Sequence, residues 1–273
     1  MLDGNHGGFA EFGAAGIYAH AGYGGAVGGT VNVNGNVDIS GVGNGLFANI
    51  GGATINVNGG KINIVDTDKK NGYSAIYATC GAINMNTVKD AAGKVIGAGN
   101  NKVDITGNVV VSVGAVNYVD CCTETEVNLG LTTKDSKLTG VVYNQFPEGG
   151  KTVSQKGDSK TFTGATNLWL QNGATWTNAL YGKLKFFKDD KYQTPFMGSH
   201  VTNLTGGSDA AHSGYIIQND RRTLTIDNYS GNTNIFYAHT GNGEATDNYA
   251  GGDTIIKHAA KDAAVTLITD NTG

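Results

Sequence analysis

Proline is almost absent from this chain, with 2 residues in 273, and charged residues make up only 15% of it. A net charge of -4 with 39% hydrophobic residues excludes a disordered chain, which would carry more charge and fewer apolar side chains. No apolar run approaches the roughly 18 residues of a membrane-spanning helix. Because 19 Lys and Arg stand against 23 Asp and Glu, no basic surplus marks a nucleic-acid binder.

Cysteine is scarce and its spacing carries little information. The three cysteines are Cys80 and the adjacent pair Cys121 and Cys122. Zinc sites use cysteines about two to four residues apart with a histidine nearby, a pattern that this sequence lacks. Two interpretations remain open: buried small side chains with one loop thiol, or a disulfide from Cys80 to one member of the pair.

Glycine, by contrast, is abundant, with 43 residues, and the chain repeats itself without the three-residue period of collagen. A Gly-Ile-Tyr-Ala segment at 16–19 recurs as Gly-Leu-Phe-Ala at 45–48 and as Ala-Ile-Tyr-Ala at 75–78. Each copy is followed by two segments in which apolar and polar residues alternate. The first of these lie at 30–35, 54–59 and 82–86, and the second at 37–39, 62–64 and 103–105.

This alternation predicts short strands with one dry and one wet face. Such strands bury too little surface singly, but coils of three strands stacked on one another share a continuous apolar interior. We therefore predict an all-β fold, a parallel β-helix with about eleven coils of about 25 residues. We expect the chain to form one domain, 1–273, with more divergent coils over 1–135. Loops are expected at 66–72, 86–102, 120–126, 145–160 and 183–196.

The second half carries a succession of motifs with a family resemblance. These are Asn-Leu-Trp-Leu-Gln-Asn-Gly-Ala-Thr-Trp at 167–176, Ser-His-Val-Thr-Asn-Leu at 199–204 and Leu-Thr-Ile-Asp-Asn-Tyr-Ser-Gly at 224–231. Their order and spacing resemble the passenger domains of Gram-negative autotransporters (type V secretion) of the pertactin and AIDA-like kind. The match is best over 136–231, and the earlier repeats agree with it loosely. We expect the autotransporter-like coils to span 136–273.

The resemblance implies a right-handed β-helix that is secreted and displayed at the bacterial outer membrane, most often as an adhesin in virulence or biofilm formation. No secretory signal follows Met1, and we expect the chain to be a piece of a longer protein. Membrane attachment would then come only from a C-terminal barrel outside this sequence. Within the motifs, Leu170 and Trp176 are expected to be core residues rather than ligand contacts.

The sequence offers near misses for chemistry but no complete catalytic or metal-binding set. Asp158-Ser159 is similar to the nucleophile motifs of serine-protease passengers and of esterases, yet Lys160 follows and no His and Asp partners can be assigned. Asp66 and Asp68 lack the further oxygen ligands of a calcium loop. We predict no catalytic residue, no metal and no cofactor. A polysaccharide lyase or hydrolase, as many β-helices are, is kept as an alternative.

A break in the repeat over 183–196 combines lysines with aromatic residues, and this is where we predict a binding site. Aromatic rings stack on sugars or proteins while lysines attract anionic partners. The predicted ligand-binding residues are Lys185, Phe187, Lys188, Lys191 and Tyr192, with Tyr143 and Phe146 in a second turn. The alternative is a hairpin that packs Leu184, Phe186 and Phe196 back onto the helix.

Two binding functions follow from this interpretation. The first is a non-catalytic adhesin that attaches to a protein or glycan receptor on host cells, to matrix, or to other bacteria. The second is a self-associating rod whose Asn- and Thr-rich faces hold bacteria in aggregates. The sequence does not separate these two functions.

Overall fold

The computed structural model of the chain is all-β over the residues that it describes. Those residues are 14–20, 28–41, 43–65, 73–112, 124–146, 149–155, 158–182, 184, 196–237 and 252–268. Twenty strands account for most of this length, and a short 3-10 helix, Ala210–His212, is the one helical element in it. The all-β prediction is confirmed.

The strands follow the chain in this order. The first ten are β1 (Ala15–His20), β2 (Thr30–Gly41), β3 (Asn44–Ile64), β4 (Ser74–Met85), β5 (Thr87–Lys89), β6 (Val95–Ala98), β7 (Val103–Thr106), β8 (Asn108–Ser112), β9 (Glu124–Leu131) and β10 (Lys137–Thr139). The others are β11 (Val142–Asn144), β12 (Lys151–Gln155), β13 (Asp158–Leu170), β14 (Thr175–Asn178), β15 (His200–Thr205), β16 (Gly214–Gln218), β17 (Leu224–Ser230), β18 (Asn232–Tyr237), β19 (Thr254–Ala259) and β20 (Ala264–Ile268).

Parallel pairing arranges these strands in three series that together close a ring. The first series is β1, the starts of β3 and β4, β8, β11, and the starts of β15, β17 and β19. The second is the start of β2, the middle of β3, the end of β4, β9, β13, and the ends of β15, β17 and β19. The third is the ends of β2 and β3, then β7, β10, β14, β16, β18 and β20.

Each series therefore has eight segments within the described residues, and one segment from each series makes up a level. The estimate of about eleven levels covers the whole chain, and insertions lengthen several of the eight levels that the structure describes. The segment 86–102, predicted as a loop, contains the antiparallel hairpin of β5 and β6. The segment 145–160 contains a second hairpin, in which β12 pairs with the start of β13.

The repeated segments of the first and second series pair with one another residue by residue. Residues 17–19 pair with 46–48, and these pair with 76–78. Residues 30–33 pair with 54–57 in the same way. Because the residues that recur in the sequence are the residues that stack, the repeats alone indicate which strands are neighbours.

In the third series the segment 62–64 is offset by two residues from 37–39 and 103–105. Val37 pairs with Gly60, and Ile39 rather than Val37 pairs with Ile62. Gly60 takes an apolar position without a side chain: its φ is +120°, and a Cβ there would collide with the backbone of Val37. A shift of two residues leaves the same side chains facing inward, which is why the alternation did not reveal it.

Inward side chains from all three series pack into one apolar column. Trp176, Ile55, Ile62, Ile83 and Leu138 are fully buried in it. Leu170 and Trp176 are both 0% exposed, as the motif interpretation predicts. Cys80 is buried in the same column, whereas Cys121 and Cys122 lie outside the described residues.

Candidate functional site

Seven asparagines occupy the same outward position of the second series in seven consecutive levels. In each pair the later Nδ2 donates to the earlier Oδ1, over distances of 2.6 to 3.0 Å. The asparagine ladder consists of Asn32, Asn56, Asn84, Asn128, Asn167, Asn203 and Asn228. Parallel strands about 4.8 Å apart bring successive amides within hydrogen-bonding distance, so the ladder follows from the stacking.

The β5–β6 hairpin covers part of this ladder, because both of its strands contact β9. Asn84 and Asn128 are 5% and 1% exposed, and Lys89 Nζ donates to Oδ1 of Asn56 at 2.7 Å. Beyond the hairpin Asn203 is half-buried and Asn228 is exposed. The asparagine ladder is thus buried where the hairpin covers it, and it forms an open polar surface in the levels that follow.

Trp169 stands at the boundary between the covered and the open part of the ladder. Its neighbours Leu168 and Leu170 are buried, so strand alternation turns Trp169 outward, where it is partly exposed. It pairs with Gly130 of the preceding level and with Thr205 of the next. The sequence interpretation missed this residue, although counting alternate positions from Leu168 places it outside.

The outward face of the third series carries charges of alternating sign in its first four levels. Asp38 pairs with Lys61, Lys61 with Asp104, and Asp104 with Lys137. Asp38, Lys61 and Lys137 are exposed, and Asp104 is half-buried. We call this row the charged ladder.

A second apolar cluster lies on the outside of the first series. This outer aromatic cluster consists of Phe47, Tyr77, Val110 and Tyr143. Phe47 and Tyr77 have ring centroids 5.1 Å apart. Burial raises the pKa of the Tyr77 hydroxyl above its ordinary value, and a hydrogen bond with Ser112 opposes part of that change.

Tyr143 and Phe146, two of the predicted ligand-binding residues, are buried. Tyr143 is 4% exposed within the outer aromatic cluster because β11 continues the first series rather than forming an open turn. Phe146 is 2% exposed within the inner column and packs over Gly164. Neither ring has a face available to a ligand, so we remove both from the candidate site.

The ends of the segment 183–196 pack against the outer aromatic cluster. Leu184 and Phe196 both contact it, and the Phe196 ring meets that of Tyr143 edge-on with centroids 5.1 Å apart. The guanidinium of Arg222 lies 5.1 Å from the Phe196 ring centroid. These contacts agree with the alternative interpretation, in which Leu184 and Phe196 pack back onto the strands instead of contacting a ligand. The other predicted binding residues, Lys185, Phe187, Lys188, Lys191 and Tyr192, lie outside the described residues.

His200 is the centre of a polar network that the sequence interpretation also missed. Its Nδ1 lies 3.0 Å from the carbonyl oxygen of Asn144, and its Nε2 lies 2.7 Å from Oδ2 of the buried Asp227. Lys257 Nζ approaches the other oxygen of Asp227 at 2.8 Å. Both ring nitrogens therefore face acceptor oxygens. These contacts connect four levels and leave neither ring nitrogen for a substrate.

No three His, Cys, Asp or Glu side chains of the described ranges converge as a metal centre would require. Asp66 and Asp68, the carboxylates of the rejected calcium loop, lie outside these ranges. No helix in the same ranges reaches the length and hydropathy needed to span a bilayer.

Comparison of the chain with family models, with curated proteins and with solved structures finds no match. A functional assignment therefore depends on the motif residues and on the geometry described above.

Proposed function

We propose that the chain is a segment of a right-handed parallel β-helix that acts as a non-catalytic adhesin at the surface of a Gram-negative bacterium. The observation that carries this proposal is the stack of eight levels with a continuous asparagine ladder on its outside. A stack of this kind presents a long, regular surface, which is how solenoid proteins bind their partners. The partner is a protein or glycan receptor on host cells or matrix, or a neighbouring bacterium.

The positions of the motif residues support the autotransporter resemblance. Leu168, Leu170, Trp176, Val201 and Leu204 are all buried in the inner column. The motifs therefore describe how successive levels pack, as expected if they are the folding core of a passenger domain. Their burial also means that binding must come from other residues, on the outside of the levels or in the insertions.

The lysines of the 183–196 segment remain the proposed contact for an acidic receptor. We expect the triple variant Lys185→Glu, Lys188→Glu, Lys191→Glu to bind about tenfold less tightly to epithelial cells or matrix proteins at low salt, because charges at the edge of an interface mainly control association. Binding of the purified chain to immobilised receptors would be measured by surface plasmon resonance. Unlike a deletion, this variant keeps the contacts of Leu184 and Phe196.

The matched control makes the same change in charge elsewhere. Lys94, Lys134 and Lys261 are exposed on other parts of the described surface, and their replacement by Glu should leave binding within a factor of about two. Equal losses in the two triple variants would mean that net charge, and not this segment, controls attachment.

Self-association is a second candidate function, and the charged ladder favours it. Two copies that approach antiparallel about a two-fold axis place Asp38 against Lys137 of the second copy and Lys61 against Asp104 of the second copy. Every such contact joins opposite charges, so the row is complementary to itself.

Reversing half of this ladder should abolish self-association. We expect Lys61→Glu with Lys137→Glu to sediment as a monomer at concentrations where the unmodified chain shows reversible dimers. In this variant the four acidic side chains of one copy face the four acidic side chains of the other and repel them. A second variant, Asp38→Lys with Asp104→Lys, should also be monomeric, while an equimolar mixture of the two should dimerise again. Dimers that persist in either single variant would exclude the charged ladder as the interface.

A further inference from the structure

We infer that Trp169, with the outward polar side chains of the next two levels, binds an uncharged glycan. This inference rests on the proposed adhesin function and names the ligand class and the site. The site, which we call the tryptophan platform, consists of Trp169, Asn203, Thr205, Asn228 and Ser230.

The two tryptophans of the chain have different environments, although they are only seven positions apart. Trp176 is fully buried, and its Nε1 donates to the carbonyl oxygen of Gly140 at 2.9 Å. Trp169 is partly exposed and belongs to neither apolar cluster of the described residues. Its indole N–H has no acceptor among the described residues. A large ring with a polar edge is thus held at the surface without a role in the core.

The polar groups beside this ring form two parallel rows. Trp169 pairs with Thr205 and Thr205 with Ser230, while Asn167 pairs with Asn203 and Asn203 with Asn228. Each step along a row, from one level to the next, is one strand spacing, about 4.8 Å. A ligand that lies along the axis therefore meets an amide and a hydroxyl at regular intervals after it leaves the ring.

These polar groups keep part of their hydrogen-bonding capacity. Asn203 uses one N–H of its amide on Oδ1 of Asn167, at 2.6 Å, and a second N–H remains for a ligand. The Ser230 and Thr205 hydroxyls are 3.5 Å apart, at the outer limit of a hydrogen bond, so either can turn to a better partner. Asn167 differs, because its Nδ2 also donates to Oε1 of Glu126 at 2.7 Å.

Charge complementarity favours a neutral partner. The five side chains of the platform carry no formal charge, and the adjacent Glu126 already accepts from Asn167. None of these five side chains offers a cation to an anionic ligand, and they offer a protein partner one aromatic ring without further apolar anchors. A sugar chain offers apolar ring faces for the indole and hydroxyls for the amide and hydroxyl rows.

The β5–β6 hairpin limits the platform at one end. The hairpin contacts β9, and a Cβ on Gly130 would approach the side chain of Ala98. Gly130 is the residue that pairs with Trp169. The Trp169 ring therefore lies next to the raised edge formed by the hairpin. A bound sugar chain can extend from the ring only in the other direction, across β15 and β17.

The test uses three neutral oligosaccharides, cellohexaose, chitohexaose and mannohexaose, titrated into the purified chain while tryptophan fluorescence is followed. At least one should shift or quench the emission in a saturable manner. Trp169→Ala should bind it at least about tenfold more weakly, and Trp169→Tyr should retain most of the affinity. The control Tyr215→Ala removes an exposed ring (40% accessible) from the third series and should bind as the unmodified chain does in calorimetry.

The remaining outcomes separate this inference from the proposed function. Oligosaccharide binding that survives Trp169→Ala would overturn the platform, while cell attachment lost in the triple lysine variant would leave the adhesin proposal standing. Attachment to cells that depends on Trp169, without binding of any neutral oligosaccharide, would identify a protein ligand and overturn the glycan assignment. Binding only to a sulfated oligosaccharide would overturn it too. If no glycan, cell or matrix protein bound at all, both proposals would fail.

Discussion

Replacing Trp176 by alanine is expected to lower the free energy of unfolding by about 3–5 kcal/mol, the largest effect of any single substitution considered for this chain. The ring is fully buried between Leu138 and Ile216 of the adjacent levels, and its loss leaves a cavity that the stacked strands cannot close. The Gly140 carbonyl oxygen also loses its indole donor. Trp176→Phe should lose less, because it keeps most of the volume.

The damage should be local, because each level contacts only its neighbours. Amide hydrogen exchange should accelerate most in β10, β14 and β16, whereas β2 and the start of β3 keep their protection. The matched control is Trp169→Ala, which removes the same ring from the surface and should change the free energy of unfolding by less than about 1 kcal/mol. Urea unfolding followed by circular dichroism would compare the variants. Equal losses at the two positions would mean that Trp169 is a packing residue, contrary to the platform.

The stacking of the first levels could be predicted from the sequence because the same short segments recur in successive levels. Residues 16–19, 45–48 and 75–78 look alike since the same side chain meets its own copy in the next level, on both faces of the strand. The core role of Leu170 and Trp176 followed from motif resemblance. Where a glycine takes an inward position, as Gly60 does, the apolar residue that would mark the repeat is missing. The pairing of that strand with its neighbours then cannot be recognised from the sequence.

The outer features could not be predicted because they depend on the insertions. Tyr143 and Phe146 resemble exposed binding aromatics in the sequence, yet the ring of Phe196, some 50 residues later, meets that of Tyr143, and Leu184 packs against the same cluster. Local alternation states only that a side chain faces outward. Whether it then meets water or another segment depends on where the inserted chain returns. For the same reason Asn128 and Asn228 have equivalent positions but very different exposure.

This difference in exposure predicts a large loss of stability when Asn128, but not Asn228, is replaced. Asn128→Leu should lower the free energy of unfolding by about 2–4 kcal/mol, because two ladder hydrogen bonds are lost under the β5–β6 hairpin. The buried Oδ1 of Asn84 loses its donor, and the Nδ2 of Asn167 loses one of its two acceptors. The free energy of unfolding would be measured by urea titration, with Asn228→Leu at the exposed end of the ladder as the control expected to lose less than about 1 kcal/mol.

The double variant Asn84→Leu, Asn128→Leu separates hydrogen bonding from packing. Replacing both buried partners removes the unsatisfied Asn84 oxygen, and Oδ1 of Asn56 still accepts from Lys89 Nζ at 2.7 Å. The double variant should therefore be more stable than the sum of the two single losses predicts, by at least about 1 kcal/mol. Strict additivity would show that the amides act independently. A coupling energy of the expected sign would mean that Asn84 and Asn128, in the covered part of the ladder, act as one cooperative unit.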